Sequence, residues 1–160
     1  MSPVLKGGIG LGIGVIVTSL VWGFGGLYKN PSLGLVNILL FVALTFGAVG
    51  WTLSKTMRGY GGQIVAALGV AVIAIPLVVF NGYLFAGVLF PDVIDVQLQQ
   101  QQDKFAAAGM SDQEIEQAMG VAEKFMTPLV QGIVGGIMTL ITSLIAGLIL
   151  AAFIRSREPA

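Results

Sequence analysis

Four stretches of this sequence, each long enough to cross a bilayer as a helix, contain no Asp, Glu, Lys or Arg. They run from Gly7 to Tyr28, from Leu33 to Leu53, from Gly62 to Phe90 and from Pro128 to Ile154. A spanning helix needs about 20 predominantly apolar residues, and in hydrocarbon each backbone N–H must find its partner within the protein. The expected fold is therefore an all-α membrane protein, a single integral domain over residues 1–160. It has four transmembrane helices, with an extramembrane amphipathic helical hairpin at about 92–127 between the third and the fourth. Composition points the same way: 56% of residues are hydrophobic, 10% are charged, and the mean hydropathy is +0.92. A soluble domain carries about 25% charged residues.

Several function classes drop out at this stage. Eight Lys and Arg balance eight Asp and Glu, which gives no basic footprint for nucleic acid. The sequence has no His and no Cys. Disulfides, thiolate or imidazole metal sites, Cys or His catalysis, and histidine ligation of haem or chlorophyll are excluded.

The first apolar run follows Lys6 but is too long for a signal peptide and has no clean small-x-small site after it, so it reads as an uncleaved helix. Basic residues near span ends set orientation. Lys6, Lys55, Arg58, Arg155 and Arg157 fall on one side, with Glu158 as the single acid there, for a side-chain charge of +4. Lys29, Lys104 and Lys124 fall on the other with seven acids, for −4. Both termini are expected in the cytoplasm and the hairpin in the periplasm. Amphipathic rings gather at headgroup level: Trp22, Phe24, Tyr28, Tyr83, Phe85 and Phe90 near the outer ends, Trp51 and Tyr60 near the inner interface. The third span exceeds the roughly 30 Å hydrocarbon thickness, so it tilts or stands proud of it. Pro76 predicts a kink there, a feature tolerated in membrane helices.

Composition changes abruptly at 92–127, where Gln97, Gln99, Gln100, Gln101 and Gln102 join the acids. Ile94, Leu98 and Phe105 share one helical stripe. Gly109 offers a stop, and Ser111 with Glu114 makes a capping-box start. Ile115, Met119, Ala122 and Met126 form the second stripe, and Thr127-Pro128 leads into the last span. Asp112, Glu114, Glu116 and Glu123 make this hairpin acidic. An acidic surface can recruit a basic partner or cations, although a solvated, topology-enforcing face is the plainer reading. Calcium-loop spacing is absent.

Inside the spans, Gly8 and Gly12, Gly10 and Gly14, and Gly132 and Gly136 have the small-xxx-small spacing that lets helix backbones approach. The span interiors offer Asn37, Asn81, Gln63, Gln131 and a few Ser and Thr, with no carboxylate, His or Lys of the kind a pump or coupled carrier displays. Asn37 and Asn81 can line a path for a neutral solute, but interhelical hydrogen bonding is the commoner use. No general base accompanies Ser19, Ser54 or Ser143, and no active site is expected.

Gly109-Met110-Ser111, Glu114-Ile115-Glu116, then Phe125 and Pro128 ahead of a Gly-rich last span with its basic end at Arg155 and Arg157, resemble a known pattern. It is that of a bacterial four-span membrane family catalogued as domain of unknown function 4199. The likeness covers the whole chain in layout, and its specific residues lie between Asp92 and Arg157. It implies a bacterial inner-membrane protein and brings no activity. The Gln run at 97–102 departs from the pattern and marks that segment as specialised. The expected function is a non-catalytic accessory subunit of a larger inner-membrane complex, respiratory or photosynthetic. It packs by its glycine faces and presents the acidic hairpin to partners. Membrane lipids and other integral-membrane subunits are the expected partners. No cofactor is ligated by side chains, and no residue is assigned to lipid or pigment contact. The alternative is a small oligomeric channel or carrier for a neutral solute, built around Asn37, Asn81 and Pro76.

Overall fold

Helix boundaries follow from local chemistry. Ser2 accepts the Leu5 amide at 3.3 Å and Pro3 lacks an N–H to satisfy, so α1 (Pro3–Phe24) begins there. It ends at Gly25-Gly26, where Gly26 takes φ +64°, a conformation glycine adopts without steric cost. Short 3₁₀ turns at Leu27–Lys29 and Pro31–Leu33 lead into α2 (Gly34–Ser54). Next come α3 (Tyr60–Leu84), extended by a π turn at Phe85–Leu89, and α4 (Asp92–Ala107). The chain closes with α5 (Asp112–Phe125) and α6 (Pro128–Phe153). The computed structural model describes residues 1–56 and 59–154. Arg58, Arg155, Arg157 and Glu158, used above for orientation, lie outside the described residues. Among those described, the chain is helical with no strand.

Four helices are long and apolar enough to cross a membrane: Pro3–Phe24, Pro31–Ser54, Tyr60–Leu89 and Pro128–Phe153. The first span sits about four residues earlier than the sequence suggests, because the Ser2 cap starts the helix and Gly25-Gly26 stops it. Helix α3 continues unbroken through Pro76, which leaves the Val72 carbonyl without its usual amide partner.

Around the bundle the order is α1, α3, α6, α2. Helix α3 meets two neighbours with small residues, burying Ala66, Ala67, Val70, Ala71 and Ala74. Toward the end where α1 begins and α6 ends, Ala66, Ala67, Val70 and Ala74 pack with Leu11, Val49, Leu53, Ala146 and Ala151 into a core exposed by 2% or less. Buried hydroxyls there bond back to their own helices: Thr45 to the Phe41 carbonyl, Thr52 to Ala48 and Thr139 to Gly135. Gln63 donates to the Ile154 carbonyl at 2.6 Å, capping the end of α6 from α3.

At the opposite end the bundle opens. Helix α2 buries Thr45, Val49, Thr52 and Leu53, whereas every residue from Gly34 to Leu40 is exposed. Its first two turns diverge from α1, α3 and α6, and α4 lies over the space this leaves.

Candidate functional site: an uncharged polar cavity and an open glycine groove

The wedge between diverging α2 and the other three helices is a cavity of about 360 Å³. Apolar walls come from Val15, Phe41, Leu44, Val78, Phe85 and Met138. Into them project Thr18, Ser19, Trp22, Asn37, Asn81, Gln131 and Thr142, and α4 contributes Val93 and Gln97 as a roof. None of the lining residues is ionisable. Of the lining residues, Asn37 and Ile38 of α2 and Met138 of α6 are exposed.

Asn37 and Asn81, the two asparagines singled out in the sequence, line the same cavity. They do so differently. Asn81 is 8% exposed and shares a 3.0 Å hydrogen bond with Ser19 of α1. Ser19 has one hydroxyl hydrogen, which serves either Asn81 Oδ1 or the Ile16 carbonyl at 2.8 Å. The Asn81 Nδ2 donors have no partner among the described residues. Pro76 is exposed and stands outside the lining.

Helix α4 is pinned over the cavity by its glutamines. Gln131 Nε2 donates to Gln97 Oε1, joining the first turn of α6 to α4, and Gln100 donates to the Tyr28 carbonyl at 3.4 Å. Positions 93, 97 and 100 recur along one helical face, so Val93, Gln97 and Gln100 meet the bundle while Gln99 and Gln102 are exposed. Sequence spacing placed Ile94, Leu98 and Phe105 along one apolar stripe. All three are half-buried, and the one fully covered side chain of α4 is Val93, at the cavity roof.

A charged clamp holds the start of α4. The Tyr28 hydroxyl donates to the Asp92 carboxylate at 2.8 Å, and Lys29 lies 3.3 Å from it. The Tyr28 hydrogen bond, reinforced by Lys29, holds the Asp92 carboxyl below its ordinary value, although partial desolvation opposes this. The Asp92 hydrogen bond in turn raises the Lys29 ammonium above its ordinary value. Phe90 sits beside this clamp, edge-on to Phe24 at 5.2 Å and tilted against Phe85 at 4.8 Å. Its ring fills the place a side chain at Gly23 would take. Trp22, near the end of α1, is buried against the cavity.

The six predicted packing glycines divide sharply. A Cβ on Gly8 would stand 2.5 Å from Ile73 Cβ, one on Gly12 2.5 Å from Leu77 Cδ1, and one on Gly132 2.5 Å from the Val79 carbonyl oxygen. These three hold α3 against α1 and α6. Gly136 is snug at 3.2 Å from Val79 Cγ2. Gly14 touches Leu44 only loosely, and Gly10 has nothing within 4 Å. Gly10 lines a second concavity of about 570 Å³ between α1 and α2, near the start of α1. Ala43, Leu44, Gly47 and Trp51 line it from α2 and Lys6 stands at its edge on α1, and Gly47 likewise has open space beside it.

In the 92–127 segment, Gly109 ends α4 with φ +79° and a Schellman pair, Gly109 N–H to Ala106 and Met110 N–H to Phe105. Glu114 accepts from the Ser111 amide at 2.8 Å and the Ser111 hydroxyl at 2.7 Å, as the sequence predicts. Those bonds lower the Glu114 carboxyl below its ordinary value. Helices α4 and α5 pack together with Ile115 buried, and Asp112, Glu114, Glu116 and Glu123 are all exposed. Among the described residues no group of acidic side chains has the arrangement of a metal site.

No family model, curated protein or solved structure matches this chain.

Proposed function

We propose that this protein is a non-catalytic accessory subunit of a larger bacterial inner-membrane assembly, respiratory or photosynthetic. Its termini lie in the cytoplasm, and the acidic α4–α5 hairpin projects into the periplasm toward its partners. The observation that carries the reading is the division of its glycines. Gly8, Gly12 and Gly132 are consumed in holding the bundle together, while Gly10 and Gly47 front a concavity that the chain's own side chains leave unfilled. Close backbone approach at small residues is how helices associate where lipid supplies no hydrophobic drive. An apolar helix of another integral-membrane subunit fits that groove. The four-span resemblance to the family catalogued as domain of unknown function 4199 is part of the same reading.

The test is substitution in the native membrane. Gly10→Leu and Gly47→Leu fill the groove without touching the bundle. Each is expected to release the protein from a large native complex into a free form that still resists unfolding. Unchanged complex size in both variants contradicts the reading.

A channel or carrier for a neutral solute is the second reading, favoured by Asn37 and Asn81 sharing one cavity. The core beneath that cavity is closely packed, and this reading places the path in an oligomer. It predicts a solute flux in liposomes that Asn81→Leu abolishes.

A further inference from the structure

The cavity combines three properties that together specify a ligand. Its lining has no ionisable side chain, so an ion entering it would lose hydration with no counter-charge to replace it. Its polar atoms are concentrated toward the α4 roof, where Asn81 is nine-tenths buried and its Nδ2 donors are unpartnered. Gln97, whose Oε1 is taken by Gln131, also retains its own Nε2 donors beside them. Away from the roof the walls are hydrocarbon and aromatic, from Phe41, Leu44, Val78 and Met138. A ligand oxygen in the cavity would give these donors an acceptor away from bulk water, and about 360 Å³ lies within the range of roughly 300–1,000 Å³ typical of small-molecule sites.

The exposed lining residues bear on the route of entry. Asn37 and Ile38 stand among exposed Leu35, Val36 and Leu39 on α2, and Met138 is exposed on α6. With the four helices crossing a membrane, these residues face lipid.

We propose that this cavity binds one neutral, lipid-soluble molecule that enters sideways from the bilayer. Its oxygen-bearing head accepts hydrogen bonds from Asn81 and Gln97, and its apolar body lies against Phe41, Leu44, Val78 and Met138. The ligand class is an uncharged carbonyl or hydroxyl head on a hydrocarbon body, without phosphate. This site shares only Leu44 with the groove between α1 and α2 and needs no partner subunit.

Trp22 lines the cavity, and the only other tryptophan is Trp51, so a Trp51→Phe protein carries a single reporter. In lipid nanodiscs, Trp22 emission is titrated with three probes of equal bromination: a diacylglycerol, a phosphatidylcholine with the same chains, and an alkane with no head. The diacylglycerol is expected to quench saturably at low mole fraction, and the other two only in proportion to their bulk concentration. Asn81→Leu is expected to weaken the saturable phase about three- to tenfold, the effect of one lost hydrogen bond in a dry site. Gln97→Ala does the same from a helix outside the bundle core, so the outcome does not hang on how Asn81→Leu folds. Equal quenching by all three probes overturns the proposal, as does a diacylglycerol phase that neither variant shifts. Saturable quenching by the headless alkane shows an apolar pocket only, and overturns the role given to Asn81 and Gln97.

Discussion

The contact at Gly132 offers the sharpest test of how this bundle is held. A Cβ added there would stand 2.5 Å from the Val79 carbonyl oxygen. Carbon and carbonyl oxygen ordinarily meet at about 3.3 Å, so Gly132→Ala forces α3 and α6 apart by about 0.8 Å. The obstruction is backbone, and Gly82 presses from the facing helix, its own Cβ position 2.6 Å from Gly132 Cα. No rotamer change relieves it. Overpacking of this kind costs about 1–3 kcal/mol, and the gain from replacing a helical glycine recovers about 0.5–1 kcal/mol. The net loss is the difference, at most about 2.5 kcal/mol. Gly10→Ala is the matched control: nothing lies within 4 Å, so only the gain of about 0.5–1 kcal/mol applies. Equilibrium unfolding in mixed detergent micelles measures both; the glycine gain is common to the two variants, so they are separated by the overpacking cost of about 1–3 kcal/mol. A Gly132→Ala protein as stable as Gly10→Ala refutes the close approach of α3 and α6.

Other features carry their own expectations. Asp92 has a lowered carboxyl value and Lys29 a raised ammonium value, so their contact contributes above the ordinary 3.8 of Asp and below the ordinary 10.5 of Lys. It is lost as pH falls through the depressed Asp92 value or rises through the raised Lys29 value. Spin labels on Leu27 and Gln99 should hold one separation between about pH 5 and pH 9 and spread apart only beyond those limits. Tyr28→Phe removes the shorter bond to Asp92 and should narrow that range on its acid side, read by the same labels. Ser111→Ala removes the cap on α5 and should cost about 0.5–2 kcal/mol of local stability, seen as faster amide exchange at Ile115 with the bundle unchanged. Gln131→Leu frees α4 from α6 and should raise amide exchange across Val93–Gln100, leaving α3 protected.

The spans were legible because uninterrupted apolar length is their signal, and the α4–α5 junction because Gly109, Ser111 and Glu114 each have one local task. The site was only half legible. Asn37 and Asn81 stood out as polar groups in apolar runs, but Ser19 meets Asn81 across a separation of 62 residues, and nothing in either neighbourhood announces the pairing. The divergence of α2 was hidden for a different reason. Leu35, Val36 and Leu39 are as apolar as Val49 and Leu53, and in lipid the outward and inward faces of a helix have no compositional contrast. Glycine spacing had the same weakness: Gly8 and Gly10 belong to equivalent patterns, and only the neighbouring α3 makes one tight and the other open. The Gln run resolves once it is wound into a helix, with Gln97 and Gln100 turned to the bundle and Gln99 and Gln102 to the surface.

The proposal that this chain works as part of a larger assembly is tested by the company it keeps in its native membrane. Membranes of the native cell are extracted in mild detergent, separated by native electrophoresis, and the band carrying this protein is read by mass spectrometry. The predicted result is co-migration with unrelated integral-membrane subunits at fixed stoichiometry. Migration alone, or only with copies of itself, contradicts the claim.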